Sequence, residues 1–169
     1  DVYKRQLFDT VKNELVGQIT EHPDLSGECL DLLMIAKYLE RIGDHAADIA
    51  EIIPHLVTVR KEGDPAVSQA IAMGKKAHQM ILDALDALTA EDENAARRVI
   101  AADDEVDYDF NAIKHQLAQE IAEDPGKVDA ALDLLMVIKY LERIGDHAVN
   151  VAEWVQFVRT GRYKDESMF

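Results

Sequence analysis

Glu40 and Asp44 stand four residues apart, and Glu142 and Asp146 repeat that spacing, each pair inside the same string Leu-Glu-Arg-Ile-Gly-Asp-His-Ala. A third pair, Asp103 and Asp107, has the same separation. Four residues is about one helical turn, so on a helix each pair shares a face. Like charges so placed repel by roughly a few tenths of a kcal/mol, and helix propensity does not favour the arrangement. Carboxylates converging from facing helices offer oxygen donors to a hard or borderline cation, alone or in a small cluster. The competing reading is a solvated acidic face with Lys37, Arg41, Lys139 and Arg143 as ion-pair partners. A di-iron site of the Glu-x-x-His type is disfavoured, because Gly43 and Gly145 stand three residues after Glu40 and Glu142. His45 and His147 directly follow the aspartates, about 100° round a helix, and read as polar surface or interior residues rather than ligands. No nucleophile–base set or glycine-rich phosphate loop is evident.

The elements that carry these acids are two copies of one unit. Leu30–Glu51 (LDLLMIAKYLERIGDHAADIAE) and Leu132–Glu153 (LDLLMVIKYLERIGDHAVNVAE) match at an offset of 102 residues, and the offset extends back through Pro23/Pro125, Ile19/Ile121, Leu15/Leu117 and Phe8/Phe110. Leu32, Ile35, Leu39, Ile42, Ala46, Ile49 and Ile53 alternate three and four apart, as do Leu134, Val137, Leu141, Ile144, Ala148, Val151 and Val155. That is the seam of a helix bundle. Val106, Phe110, Ile113 and Leu117 continue the pattern in the preceding helix, and Asp103 falls on the same seam where an apolar residue is expected. A charge there costs free energy unless something pairs with it. A chain reversal near Pro125 brings Asp103 and Asp107 level with Glu142 and Asp146.

The spacing predicts helices over about 7–21, 26–59, 65–88, 93–122 and 127–158, with Asp64 as N-cap and Pro65 in the first turn of the third. For that helix the apolar face is read as Val67, Ile71, Gly74, His78, Ile81, Leu85 and Leu88. Short polar links make neighbours antiparallel. The fold is therefore all-α, two tandem antiparallel three-helix bundles, the first lacking its opening helix. Residues 7–61 form the shortened first repeat, 62–160 the complete second, and 161–169 a tail. Met34, Met73, Met80 and Met136 are expected as core filler, with Trp154 and Phe157 also in the core. Tyr38, Tyr140, Lys37 and Lys139 are read as surface-edge residues, and Gly43 and Gly145 as points of close helix approach.

Asp1–Gln6 matches the translation of a transposon adapter used in preparing sequencing libraries and reads as an assembly scar. The 102 offset sets Asp1 and Arg5 where Asp103 and Asp107 stand, which leaves the first acid site resting on Glu40 and Asp44.

Composition narrows the function. The chain has 169 residues, 33 acids against 18 bases and a formal net charge of −15, which argues against nucleic-acid binding and against a polybasic membrane anchor. One cysteine, Cys29, excludes an internal disulfide and suits a reducing compartment. Apolar residues at 48% are too many for a disordered acidic segment.

The doubled Leu-Glu-Arg-Ile-Gly-Asp-His-Ala string, together with Ala-Asp-Asp-Glu-Val-Asp at 102–107, resembles the PhoU family of phosphate-signalling proteins over residues 7 to about 160. The resemblance implies two three-helix bundles with metal held by acid pairs: Asp103, Asp107, Glu142 and Asp146 in the second repeat, Glu40 and Asp44 in the first. It implies iron-type or other divalent cation clusters, and a cytoplasmic location with membrane association only through partners. It also implies contact with the phosphate ABC transporter's ATPase and a phosphate-sensing histidine kinase, repression of phosphate-starvation genes, no enzymatic activity of its own, and room for a homodimer. Two other readings remain: a helical-bundle metalloenzyme using the acid site, and an interaction module without metal.

Overall fold

A computed structural model describes residues 2–160, with side chains through Phe157. Five α-helices follow in order: α1 (Val2–Glu21), α2 (Ser26–Val59), α3 (Pro65–Ala90), α4 (Glu93–Glu123) and α5 (Val128–Thr160). One turn of 3₁₀ helix, Pro23–Leu25, links α1 to α2, and its copy Pro125–Lys127 links α4 to α5. No strand occurs among the described residues. The expected tail, 161–169, and Asp1 lie outside the described residues.

Helix boundaries follow local chemistry. The Asp64 carboxylate accepts from the backbone N–H groups of Ala66 (2.9 Å) and Val67 (3.3 Å), with Pro65 in the first turn of α3. Asp92 caps α4 in the same way through Asn94 and Ala95. Between them Glu91 takes a left-handed conformation (φ 51°) that ends α3. α1 starts earlier than the spacing predicts, because residues 2–6 continue the same helix. α2 runs unbroken through Pro54, since one missing backbone donor near an exposed end is tolerated in a 34-residue helix.

α3, α4 and α5 form a three-helix bundle, α1 and α2 form a hairpin, and α2 crosses α5 antiparallel to join the two. The core lies in the second repeat. Leu134, Val137, Ile144, Ala148, Val151 and Val155 of α5 are buried there, as are Val106, Ile113 and Leu117 of α4. Of the equivalent α2 positions only Ile35 is fully buried, while Leu32, Ala46 and Ile53 are exposed.

α3 is turned by one residue from the face read above. Its buried stripe is Ala66, Ala70, Met73, Ala77, Met80, Ala84 and Ala87, while Ile71 is 57% exposed and His78 lies in solvent. Both stripes have heptad spacing. Small side chains let α3 lie close to α4 and α5, and close approach buries more contact than the bulkier face could. Met73 and Met80 fill the core as expected, whereas Met34 and Met136 are exposed on the outer faces of α2 and α5. Trp154 stacks edge-on against Phe157 at the core margin.

Arg60 ties the two repeats together at the α2–α3 link. Its side chain is 8% exposed and donates to Asp64 (3.0 Å), to Glu120 at the end of α4 (2.7 Å) and to the carbonyl of Ala130 in α5. A second tie is a run of four stacked rings where α2 crosses α5, in the order Tyr38, His147, His45, Tyr140, with centroids 5.9, 5.5 and 5.4 Å apart. The histidines are thus half-buried packing residues, and the tyrosines, read as surface-edge residues, complete the stack. Duplication explains this arrangement, because His45/Tyr140 and His147/Tyr38 are the same contact made twice about the crossing.

Candidate metal centre

α4 and α5 position the acids. The short Pro125–Lys127 turn folds α5 back along α4, and the shared apolar seam sets the register. Asp103 is half-buried on that seam. Its Oδ1 is a buried oxygen with no hydrogen-bond partner and lies 3.2 Å from where a Cβ on Gly145 would stand. Val106 and Met80 close the other sides of the same spot. Gly145 therefore has a structural reason: any side chain would press on the Asp103 carboxylate.

The field here is strongly negative. Burial, followed by the charges of Asp107, Asp146, Asp104 and Glu142, pushes Asp103 up to about 6. Asp107 is raised too, by burial and then by Glu142 and Asp146. Glu142 and Asp146 of α5 thus lie near enough to raise both α4 aspartates, Asp103 and Asp107. Asp104, not expected as part of the site, adds to the field simply by its adjacency to Asp103. The basic side chains compete for the acids: Lys139 pairs with Glu142 while lying 5.0 Å from the Phe110 ring, and Arg143 pairs with Asp146 at 2.9 Å.

The donors are chemically right for a hard or borderline cation, and an orphaned oxygen is on hand. Among the described residues, however, no three His, Cys, Asp or Glu side chains already sit close enough to one another to hold an ion. Binding would draw Glu142 from Lys139 and Asp146 from Arg143 toward Asp103 and Asp107.

The first repeat differs. Lys37 pairs with Glu40 and lies 5.0 Å from the Phe8 ring, copying Lys139 and Phe110. Asp44 is paired with the Lys4 ammonium, which together with Arg41 holds its carboxyl below the usual range. Where α4 presents Val106, α1 presents Lys4, so an ammonium lies beside Gly43. Glu40 and Asp44 are not joined there by acids from α1.

Comparison with known proteins agrees with both repeats. The PhoU domain model matches residues 3–53 and 71–155. A phosphate-specific transport system accessory protein PhoU homolog of Clostridium acetobutylicum is 33% identical over 97% of this chain and 78% of its own length. One from Caulobacter vibrioides is 41% identical over 76% of this chain and 56% of its own length. The chain thus spans little more than half the length of several of the curated relatives it matches. The crystal structure of PhoU from Pseudomonas aeruginosa superposes with a TM-score of 0.78 at 25% identity, covering 95% of this chain and 81% of that one. The phosphate transport system regulatory protein PhoU from Streptococcus pneumoniae shares the fold with a TM-score of 0.82, covering 98% and 78%.

Proposed function

The chain belongs to the PhoU family, and from that membership we propose that it is a metal-binding accessory protein of phosphate transport. In this reading it works in the cytoplasm beside the transporter's ATPase and a phosphate-sensing histidine kinase, restraining phosphate-starvation signalling without catalysing a reaction itself. Membrane association comes through those partners. No described helix is long and apolar enough to cross a membrane.

The observation that supports a metal is the unpaired, buried Asp103 oxygen, on whose carboxyl the charges of Asp107, Asp146 and Glu142 act. Asp103, Asp107, Glu142 and Asp146 would hold the cation, and the cation would neutralise a site whose charges otherwise repel. Gly145 keeps room for the Asp103 carboxylate, and Lys139 and Arg143 hold the remaining acids while no cation is present. Glu40 and Asp44 form the weaker, first-repeat counterpart, because Lys4 already satisfies Asp44.

A second reading, an interaction module without metal, is favoured by those same ion pairs and by the lack of any preassembled group of three ligands among the described residues. Elemental analysis of purified protein, before and after a chelator, separates the two. Stoichiometric iron, manganese or zinc that is lost in Asp103→Asn supports the metal reading, and its absence after incubation with each ion defeats it. The accessory role is tested by retention of the transporter ATPase on immobilised protein from phosphate-replete cell lysate. Failure to retain it overturns the adaptor reading.

A further inference from the structure

Val67, Ile71 and Gly74 belong to the second apolar face of α3, which the bundle does not fully bury. They line a groove. α2 and α3 both pack on α5 but not on each other, and the space between them has a volume of about 720 Å³. Ile49, Ile53 and Val57 of α2 form one wall, and Val67, Ile71 and Gly74 of α3 form the other. Leu134, Val137 and Leu141 of α5 form the floor. Val57 is 71% exposed and Ile71 57%, so the rims of both walls stand in water. Apolar side chains gathered around a concavity are the common lining of a small-molecule site, for which roughly 300–1,000 Å³ is typical.

One end of the groove is polar. The link from α2 to α3 bounds it there, through Arg60, Lys61, Glu62 and Asp64. Asp64 is engaged by Arg60 and by the first amides of α3, and at the exposed rim Lys61 offsets Glu62. The Arg60 side chain is 8% exposed and commits its terminal nitrogens to Asp64, Glu120 and Ala130. Its Nε–H is buried with no hydrogen-bond partner among the described residues. A buried guanidinium donor left unpaired is costly, and a carboxylate makes the strongest bond to it. Along α2 the apolar wall runs from Ile49 to Val57, roughly 12 Å. Because the link bounds one end, a continuous helix could not run through, whereas one aliphatic chain with a small acidic head fits both the length and the donor.

We propose that the groove between α2, α3 and α5 binds a free, single-chain aliphatic carboxylate. The chain lies between the two helix walls, and the head accepts from the Arg60 Nε–H.

Hexanoate, octanoate and decanoate, titrated into the intact chain below their micellar concentrations and followed by methyl NMR, are the probes. Affinity is expected to rise about twofold to fourfold per added methylene, with the shifts centred on Ile53, Val57, Val67 and Ile71. The net charge of −15 disfavours anions over the general surface. An at least tenfold preference for decanoate over decyltrimethylammonium therefore reports the Arg60 end of the groove. Val57→Glu and Ile71→Glu each change an exposed side chain, so the chain still folds, and each should weaken decanoate at least tenfold. Decanoate that binds no tighter than hexanoate, ignores both substitutions or is matched by the cation overturns the proposal. Pelleting with anionic phospholipid vesicles that is lost in Ile71→Glu also overturns it, because a bilayer would then be the occupant. A dimer that Ile71→Glu dissociates does so as well, because a second copy would then fill the groove. The groove shares no residue with the acid site and none of these readouts involves metal, so the two stand or fall separately.

Discussion

Replacing Asp103 by Asn should stabilise the metal-free protein, and only above a defined pH. The Asp103 carboxyl is pushed up to about 6 in the folded chain, against about 3.9 when unfolded. A raised acid favours the folded state while protonated. Its cost is therefore absent below about pH 4, grows between pH 4 and 6, and is complete above pH 6. Two pKa units correspond to about 3 kcal/mol at full value. The site is half-solvated, so screening reduces this to about 1–1.5 kcal/mol. Asn keeps the shape, and because Asp103 Oδ1 has no hydrogen-bond partner, no bond from that oxygen is lost. For a chain of this size the gain is about 3–5 °C in Tm. Thermal unfolding with a chelator, at low ionic strength and from pH 4 to 8, measures it. The variant and parent curves should coincide near pH 4 and separate by pH 7. A divalent cation should then reverse the order, raising the Tm of the parent but not of Asp103→Asn, because binding only to the folded state stabilises it. An equal Tm difference at pH 4 and pH 7.5 would refute the electrostatic argument for this site.

Other substitutions test separate parts of the molecule. Gly145→Ala gains about 1 kcal/mol of helix propensity but sets its Cβ 3.2 Å from Asp103 Oδ1. Its Tm should therefore change little while metal affinity, read by competition with a chelating dye, falls about tenfold or more. Gly17→Ala, where nothing lies within 4 Å of the added Cβ, is the control and should raise stability in urea by about 1 kcal/mol. Arg60→Met leaves Asp64 and Glu120 without their shared guanidinium. It should lower stability by about 2–4 kcal/mol, with the loss visible in chemical denaturation at pH 7. Burial alone would raise Asp64, but Arg60 and the α3 amides hold it below the usual carboxylate range. The Asp64 part of this stabilisation should therefore be present at neutral pH and fade as pH falls below about 4.

Much of this protein was legible from residue order alone. Heptad spacing and the Pro-anchored links marked five helices, and Asp64–Pro65 marked the start of α3, because caps and periodicity are local properties. The 102-residue offset revealed the repeat and paired Glu40–Asp44 with Glu142–Asp146. An acid on an apolar seam pointed to Asp103 before any packing partner was known. Other features depended on neighbours distant in the chain. α3 carries two heptad faces, and only contact with α4 and α5 selected the alanine stripe over the Val67–Leu88 face. The four-ring stack of Tyr38, His147, His45 and Tyr140 needs two helices to cross at one point, which no single segment encodes. The unequal fate of near-identical seams on α2 and α5 is the clearest case. Periodicity states which face is apolar, but burial requires a partner surface, and only the tertiary structure shows that α5 is packed by α2, α3 and α4 while α2 meets α1 and α5 alone.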